Sequence, residues 1–148
     1  MAKITKSALL EAPIELAYQV VQAVEDYPDF LPGCDAVEVL KRSDHGLQAR
    51  VSVKGAGLSE VFVTENMHDP TSISMSLKEG SFQSLNGVWH FSQIGDQGCR
   101  VNVEIEYEVG GMLAIFFLPI ADMVANKLVD AFCQRITDVQ AGGRDLGQ

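Results

Sequence analysis

The side chains best suited to chemistry in this chain are three histidines, three cysteines and a row of carboxylates. Their spacing argues against most reactions. His45, His68 and His90 lie far apart and lack the local ligand pairs that zinc sites use, so no metal centre is expected. His45 precedes Gly46 and His68 precedes Asp69-Pro70, which predicts two turn histidines. Cys34, Cys99 and Cys133 are odd in number and widely spaced, which fits reduced thiols and no disulfide framework. Cys34 follows Pro32-Gly33 in an irregular stretch, but a small buried apolar role is the default for such a residue. There is no GxSxG elbow. Gly55-Ala56-Gly57 lacks the third glycine and the following helix that a phosphate cradle needs, so it predicts a hairpin turn. Glu104, Glu106 and Glu108 recur at period two and share one strand face. That predicts a solvated acidic stripe able to attract a basic protein, not a pair of catalytic acids in a cleft. Without an acid–base pair in view, the chain is not expected to be an enzyme.

The remaining candidates are apolar: Tyr18, Tyr27, Phe30, Leu31, Trp89, Phe91, Phe116, Phe117 and Phe132. Such a set usually fills a core. A sheet curved around a helix can instead leave an apolar tunnel, and ligand sites have that character. Patterning alone leaves both outcomes open.

The elements that must hold these residues follow from periodicity. Ala2 to Leu10 predicts a strand. Leu16, Ala17, Val20, Val21 and Val24 predict a short amphipathic helix after Pro13, with one more helical turn within Asp26 to Leu31. Alternating segments at 36–42, 47–54, 58–66, 73–77, 85–94 and 101–109 are separated by short turns, which predicts an antiparallel meander. One face of that sheet is apolar and needs a helical cover. Only the C-terminal segment, Met112 to Val139, is long enough, with Val124, Leu128, Phe132, Ile136 and Val139 near i+4 spacing. Met112 to Leu118 is apolar on all sides, so it is expected either to be buried all round or to face something other than water. Pro119 predicts a bend between the two halves. The fold class is therefore α+β, one domain over residues 1–140, with a Gly-rich flexible tail at 141–148.

The formal net charge is −9, and the eleven basic residues are scattered, so direct DNA binding is not expected. The first residues lack the apolar stretch of a signal peptide, and no run reaches the roughly 18 apolar residues of a spanning helix. A cytoplasmic location is expected.

One segment is distinctive: Val24-Glu25-Asp26-Tyr27-Pro28-Asp29-Phe30-Leu31-Pro32-Gly33-Cys34. It resembles the VEDYPxFLPWC signature of the coenzyme Q-binding family in the START-like (polyketide cyclase/dehydrase) superfamily, with Gly33 where many members carry tryptophan. Lys54 to Phe62, Gly80 to Phe91 and Lys127 to Arg135 resemble the ribosome association toxin (RatA) branch of that family. The resemblance spans nearly the whole chain except the tail. It implies a helix-grip fold, a curved antiparallel sheet wrapped around a long C-terminal helix. It also implies non-enzymatic binding of a hydrophobic small molecule, ubiquinone or a related polyprenyl quinone, in a cavity between sheet and helix, in support of respiration. On that reading the aromatic set above lines the cavity, Tyr18, Tyr27 and Arg135 orient a polar head, no covalent cofactor is needed, and transient contact with the inner membrane follows. The alternative it implies is a toxin that binds the large ribosomal subunit and blocks subunit association.

Overall fold

Among the described residues, period-two patterning folds as seven strands. They are β1 Ala2–Leu10, β2 Cys34–Ser43, β3 Gly46–Gly55, β4 Leu58–Asp69, β5 Ser72–Glu79, β6 Ser84–Ile94 and β7 Gly98–Glu108. The computed structural model describes residues 2–55 and 57–146. Every neighbouring pair is antiparallel, in the order β1-β7-β6-β5-β4-β3-β2. The first two strands in the chain are thus the two edges of the sheet. The segment joining them must cross the whole width of the concave face.

That crossing is made by α1 (Ile14–Gln22) and a 3-10 segment, Val24–Asp29. Pro13 precedes the first helical turn and Glu15 sits within it, near the positive end of the helix dipole. Ala17, Val20 and Val21 face the core. The Tyr27 hydroxyl donates to the Val21 carbonyl and clips the 3-10 segment back onto the helix. Gly33 then turns the chain into β2 at φ +80°, and its carbonyl accepts from the Lys54 amide at 2.7 Å.

The hairpin turn at 55–57 joins β3 to β4, with Gly55 opposite Leu58; Ala56 lies outside the described residues. His68 is not in a turn. β4 continues to Asp69, where Asp69 pairs with Ser72, so His68 stays in the ladder opposite Ile73.

After β7 come α2 (Gly111–Phe117), a 3-10 turn at Leu118–Ile120, and α3 (Ala121–Leu146). Pro119 has no N–H to donate to the preceding turn, so the helical ladder is interrupted there. Phe117, Leu118 and Ala121 nevertheless keep right-handed helical angles, so the interruption is a tightened turn within a continuing helical path. α3 runs on through 141–146, where composition predicts a frayed tail. Extending an existing helix avoids the cost of nucleating one, which carries Gly142 and its neighbours along. Residues 147–148 lie outside the described range. α3 packs mainly along β1 and α1, and Lys6 of β1 holds Asp122 of its first turn at 2.9 Å.

The apolar start of this helical path is not buried. Met112, Ile115 and Leu118 are 69%, 66% and 50% exposed. A helix lying on a sheet can turn only one side inward, and here that side carries Phe117.

Candidate functional site

Two aromatic clusters line the concave face. The first is built around Phe132 of α3. Its ring meets Trp89 of β6 at 4.7 Å, Tyr27 at 5.1 Å and Phe30 at 5.4 Å, all edge-on. Trp89 stacks along Phe91, which meets Tyr18 of α1 at 5.4 Å. The Arg135 guanidinium lies 5.2 Å from the Phe30 ring centre, one helical turn from Phe132. Leu31 packs against the same core. Eight of the ten residues expected at a ligand site are therefore together.

The rings pack edge to face at contact distance, which is how aromatic groups fill a core. The polar handles are also committed. The Tyr27 hydroxyl is spent on Val21, and the Tyr18 hydroxyl donates to the Asp69 carbonyl at 2.8 Å. Burial, then the nearby Cys34, pushes the Tyr27 phenol well up, so it stays a neutral donor.

The second cluster lies under α2. Phe117 meets Phe82 at 5.2 Å and Tyr107 at 5.5 Å, and Phe82 meets Phe62 of β4 at 5.6 Å. Phe117 was expected beside the first set but belongs here, because α2 covers the opposite end of the sheet. Phe116, its neighbour in sequence, is 47% exposed and joins neither cluster. Successive residues on a helix point about 100° apart, so the two cannot both face inward.

Between the clusters, one inward row of the sheet lacks a side chain on β6. Directly opposed residues on antiparallel strands share one face. One such row runs Asn66, Met75, Gly87, Ile105 across β4, β5, β6 and β7. The row on one side contains Trp89; on the other side Leu85 is paired with Tyr107. Gly87 contributes no side chain, and the terminal methyl of Met75 lies 3.5 Å from where a Cβ on residue 87 would sit, at ordinary contact distance.

The inward face of β4 is polar, a feature that sequence patterning missed. Thr64 and Asn66 are buried, opposite Ala49 and Leu47 of β3. Asn66 Oδ1 and His68 Nε2 are both buried without a hydrogen-bond partner. Gln22 of α1 approaches His68 Nδ1 at 3.4 Å. Burial, then the Arg42 charge, lowers the His68 pKa, which favours the neutral ring.

Nothing in this arrangement resembles a nucleophile with its base. Burial raises the pKa of Cys34, Cys99 and Cys133, which keeps them protonated thiols. Among the described residues no three His, Cys, Asp or Glu side chains converge as metal ligands. The chemistry on offer is apolar burial with a few fixed hydrogen-bonding groups.

Residues 10–133 match the family model described as polyketide cyclase/dehydrase and lipid transport. A Pseudomonas aeruginosa protein named ribosome association toxin RatA is 39% identical over 134 residues, which cover 89% of this chain and 93% of that one. A START superfamily protein from Mycobacterium smegmatis has the same fold, with a TM-score of 0.76 over 93% of this chain and 98% of its own, at 22% identity. The Zhui aromatase/cyclase from a Streptomyces species aligns with a TM-score of 0.78 over 92% and 93% of the two chains, at 15% identity.

Proposed function

Because the chain belongs to the polyketide cyclase/dehydrase and lipid transport family, we propose that it acts by binding, and that its partner is the large ribosomal subunit, whose association with the small subunit it blocks. The observation that carries this reading is the 39% identity with the protein named ribosome association toxin, over 93% of that protein's length. The surface supports it. Glu104, Glu106 and Glu108 are exposed on the outer face of β7, and among the described residues only Glu104 has an ion pair, with Lys3 at 4.0 Å. Four residues after Glu108 begins an exposed apolar stretch, Met112, Ile115 and Phe116 of α2 and Leu118 of the turn that follows it. An exposed acidic row suits a basic protein partner, and it repels bare RNA.

Purified subunits with added protein should show less of the joined ribosome on a sucrose gradient, with the protein travelling with the large subunit. Glu106→Lys with Glu108→Lys should weaken this severalfold. Unchanged subunit association at saturating protein would end the reading.

A second reading is favoured by the family description, which includes lipid transport. An apolar ligand of polyprenyl quinone type would lie between the two aromatic clusters, with the exposed side of α2 touching the membrane that holds such a ligand. Apolar burial contributes roughly 25 cal/mol per Å², so a prenyl tail would supply most of the affinity before ordering costs. Trp89 is the one tryptophan in the chain and lies in the first aromatic cluster. A short-chain quinone should therefore quench its emission saturably. A linear, non-saturating response, together with solvent extracts of the purified protein free of quinone and lipid, would count decisively against it.

A further inference from the structure

The two orphaned polar atoms on β4 ask for a partner. Buried polar groups in folded proteins are almost always hydrogen-bonded, and leaving one unmade is costly. Here two lie on one strand face, two residues apart, in a wall otherwise lined by Leu47, Ile73 and Met75. Asn66 is only 8% exposed. It lies opposite Met75 of β5, which in turn lies opposite side-chain-free Gly87 of β6.

The two atoms are chemically complementary. Gln22 Nε2 is a donor, so His68 Nδ1 accepts and the single ring proton sits on Nε2. His68 Nε2–H therefore donates, while Asn66 Oδ1 accepts. One hydroxyl group can answer both, since its oxygen accepts from the histidine and its proton goes to the amide oxygen. A bare carbonyl answers only the histidine, and a hydrocarbon answers neither. The movable neighbour is Met75, an unbranched side chain with three rotatable bonds, whose methyl rests against side-chain-free Gly87.

We infer that Asn66 and His68 form a hydroxyl-reading subsite of the interior, taking an apolar molecule that carries a phenolic or alcoholic –OH, and that Met75 leaves the space above Gly87 when it binds. This rests on the ligand reading above and adds the polar class of the ligand.

The test uses two probes of like shape, 4-hexylphenol and hexylbenzene, titrated against the full chain with Trp89 emission as the readout. Water prefers the phenol, so hydrophobicity alone would favour hexylbenzene. The wild type should nevertheless bind the phenol at least about tenfold more tightly, because a site built to pair a hydroxyl rejects its absence. Asn66→Leu should bring the two affinities within about twofold while raising the urea midpoint of the free protein, since it removes an unsatisfied buried group. If Asn66→Leu does not fold, His68→Leu carries the same expectation for the probes. Met75→Ala should tighten both probes. Equal affinity of the wild type for both probes overturns the subsite and leaves the ligand reading standing. Binding of neither overturns both. A phenol preference that survives Asn66→Leu and His68→Leu alike also overturns the subsite.

Discussion

Phe132→Ala should destabilise the protein by about 3–5 kcal/mol, the range for truncating a buried aromatic ring. Phe132 is 5% exposed, and its ring is the one point where Trp89, Tyr27 and Phe30 meet. Removing it opens a void bounded by Trp89 of β6, Tyr27 of the 3-10 segment and Phe30 just after that segment. Those rings cannot collapse into it without moving the elements that carry them. The loss therefore comprises the transfer term, a cavity term and three edge-to-face contacts of about 0.5–1.5 kcal/mol each. Measured against a typical domain stability of 5–15 kcal/mol, this would bring the chain close to unfolding at room temperature. Urea denaturation followed by circular dichroism measures it. Phe116→Ala is the matched control, since that ring is 47% exposed and in neither cluster; a change within about 0.5 kcal/mol is expected there. A loss below about 1 kcal/mol for Phe132→Ala would mean that the cluster is loosely packed.

Gly33→Ala should cost at least about 2 kcal/mol, although a surface methyl is all that is added. Two penalties combine. Gly33 holds φ +80°, a left-handed conformation that costs an ordinary residue roughly 1–2 kcal/mol. A Cβ there would also lie 2.6 Å from the Lys54 carbonyl oxygen, which is backbone and cannot swing aside. The Lys54 amide is meanwhile bonded to the Gly33 carbonyl at 2.7 Å, so the two strands are pinned at this contact. Gly33→Trp should do no better. Denaturation midpoints test the cost, and hydrogen exchange at the Lys54 amide should accelerate in both variants. Unaltered exchange and stability would show that the turn relaxes freely.

Much of the architecture was legible because strands with one wet face write their period into the sequence. β7 is the clearest case, with Val101, Val103, Ile105 and Tyr107 inward and Glu104, Glu106 and Glu108 outward. β4 hides its phase. Val61-Phe62-Val63-Thr64-Glu65-Asn66-Met67 has apolar residues at both alternations, so pattern alone does not say which set faces inward. Pairing with β3 decides it, by placing Thr64 and Asn66 opposite buried Ala49 and Leu47 and leaving Met67 48% exposed. The buried polar residues of β4 were therefore invisible before the register was known. The same holds for the split of the aromatic set. Phe117 and Phe132 lie on one helical path in the sequence, and only the position of α2 at the far end of the sheet assigns them to separate clusters.

The pairing of β1 with β7 also sets a timetable. Leu10 lies opposite Cys99, and Ala2 lies opposite Tyr107, so the first strand made has no partner until the last one exists. Every intervening strand pairs with its immediate successor and can form as it emerges. At a synthesis rate of about 5–20 residues per second, β1 waits on the order of 5–20 s for its neighbour. During that interval the apolar side of β1 and the buried face of α1 have no sheet edge to settle on, and such long-range pairing is intrinsically slow to form. Folding of this chain should therefore be gated by the arrival of β7, and a nascent chain stopped before residue 98 should still expose its first strand to a protease.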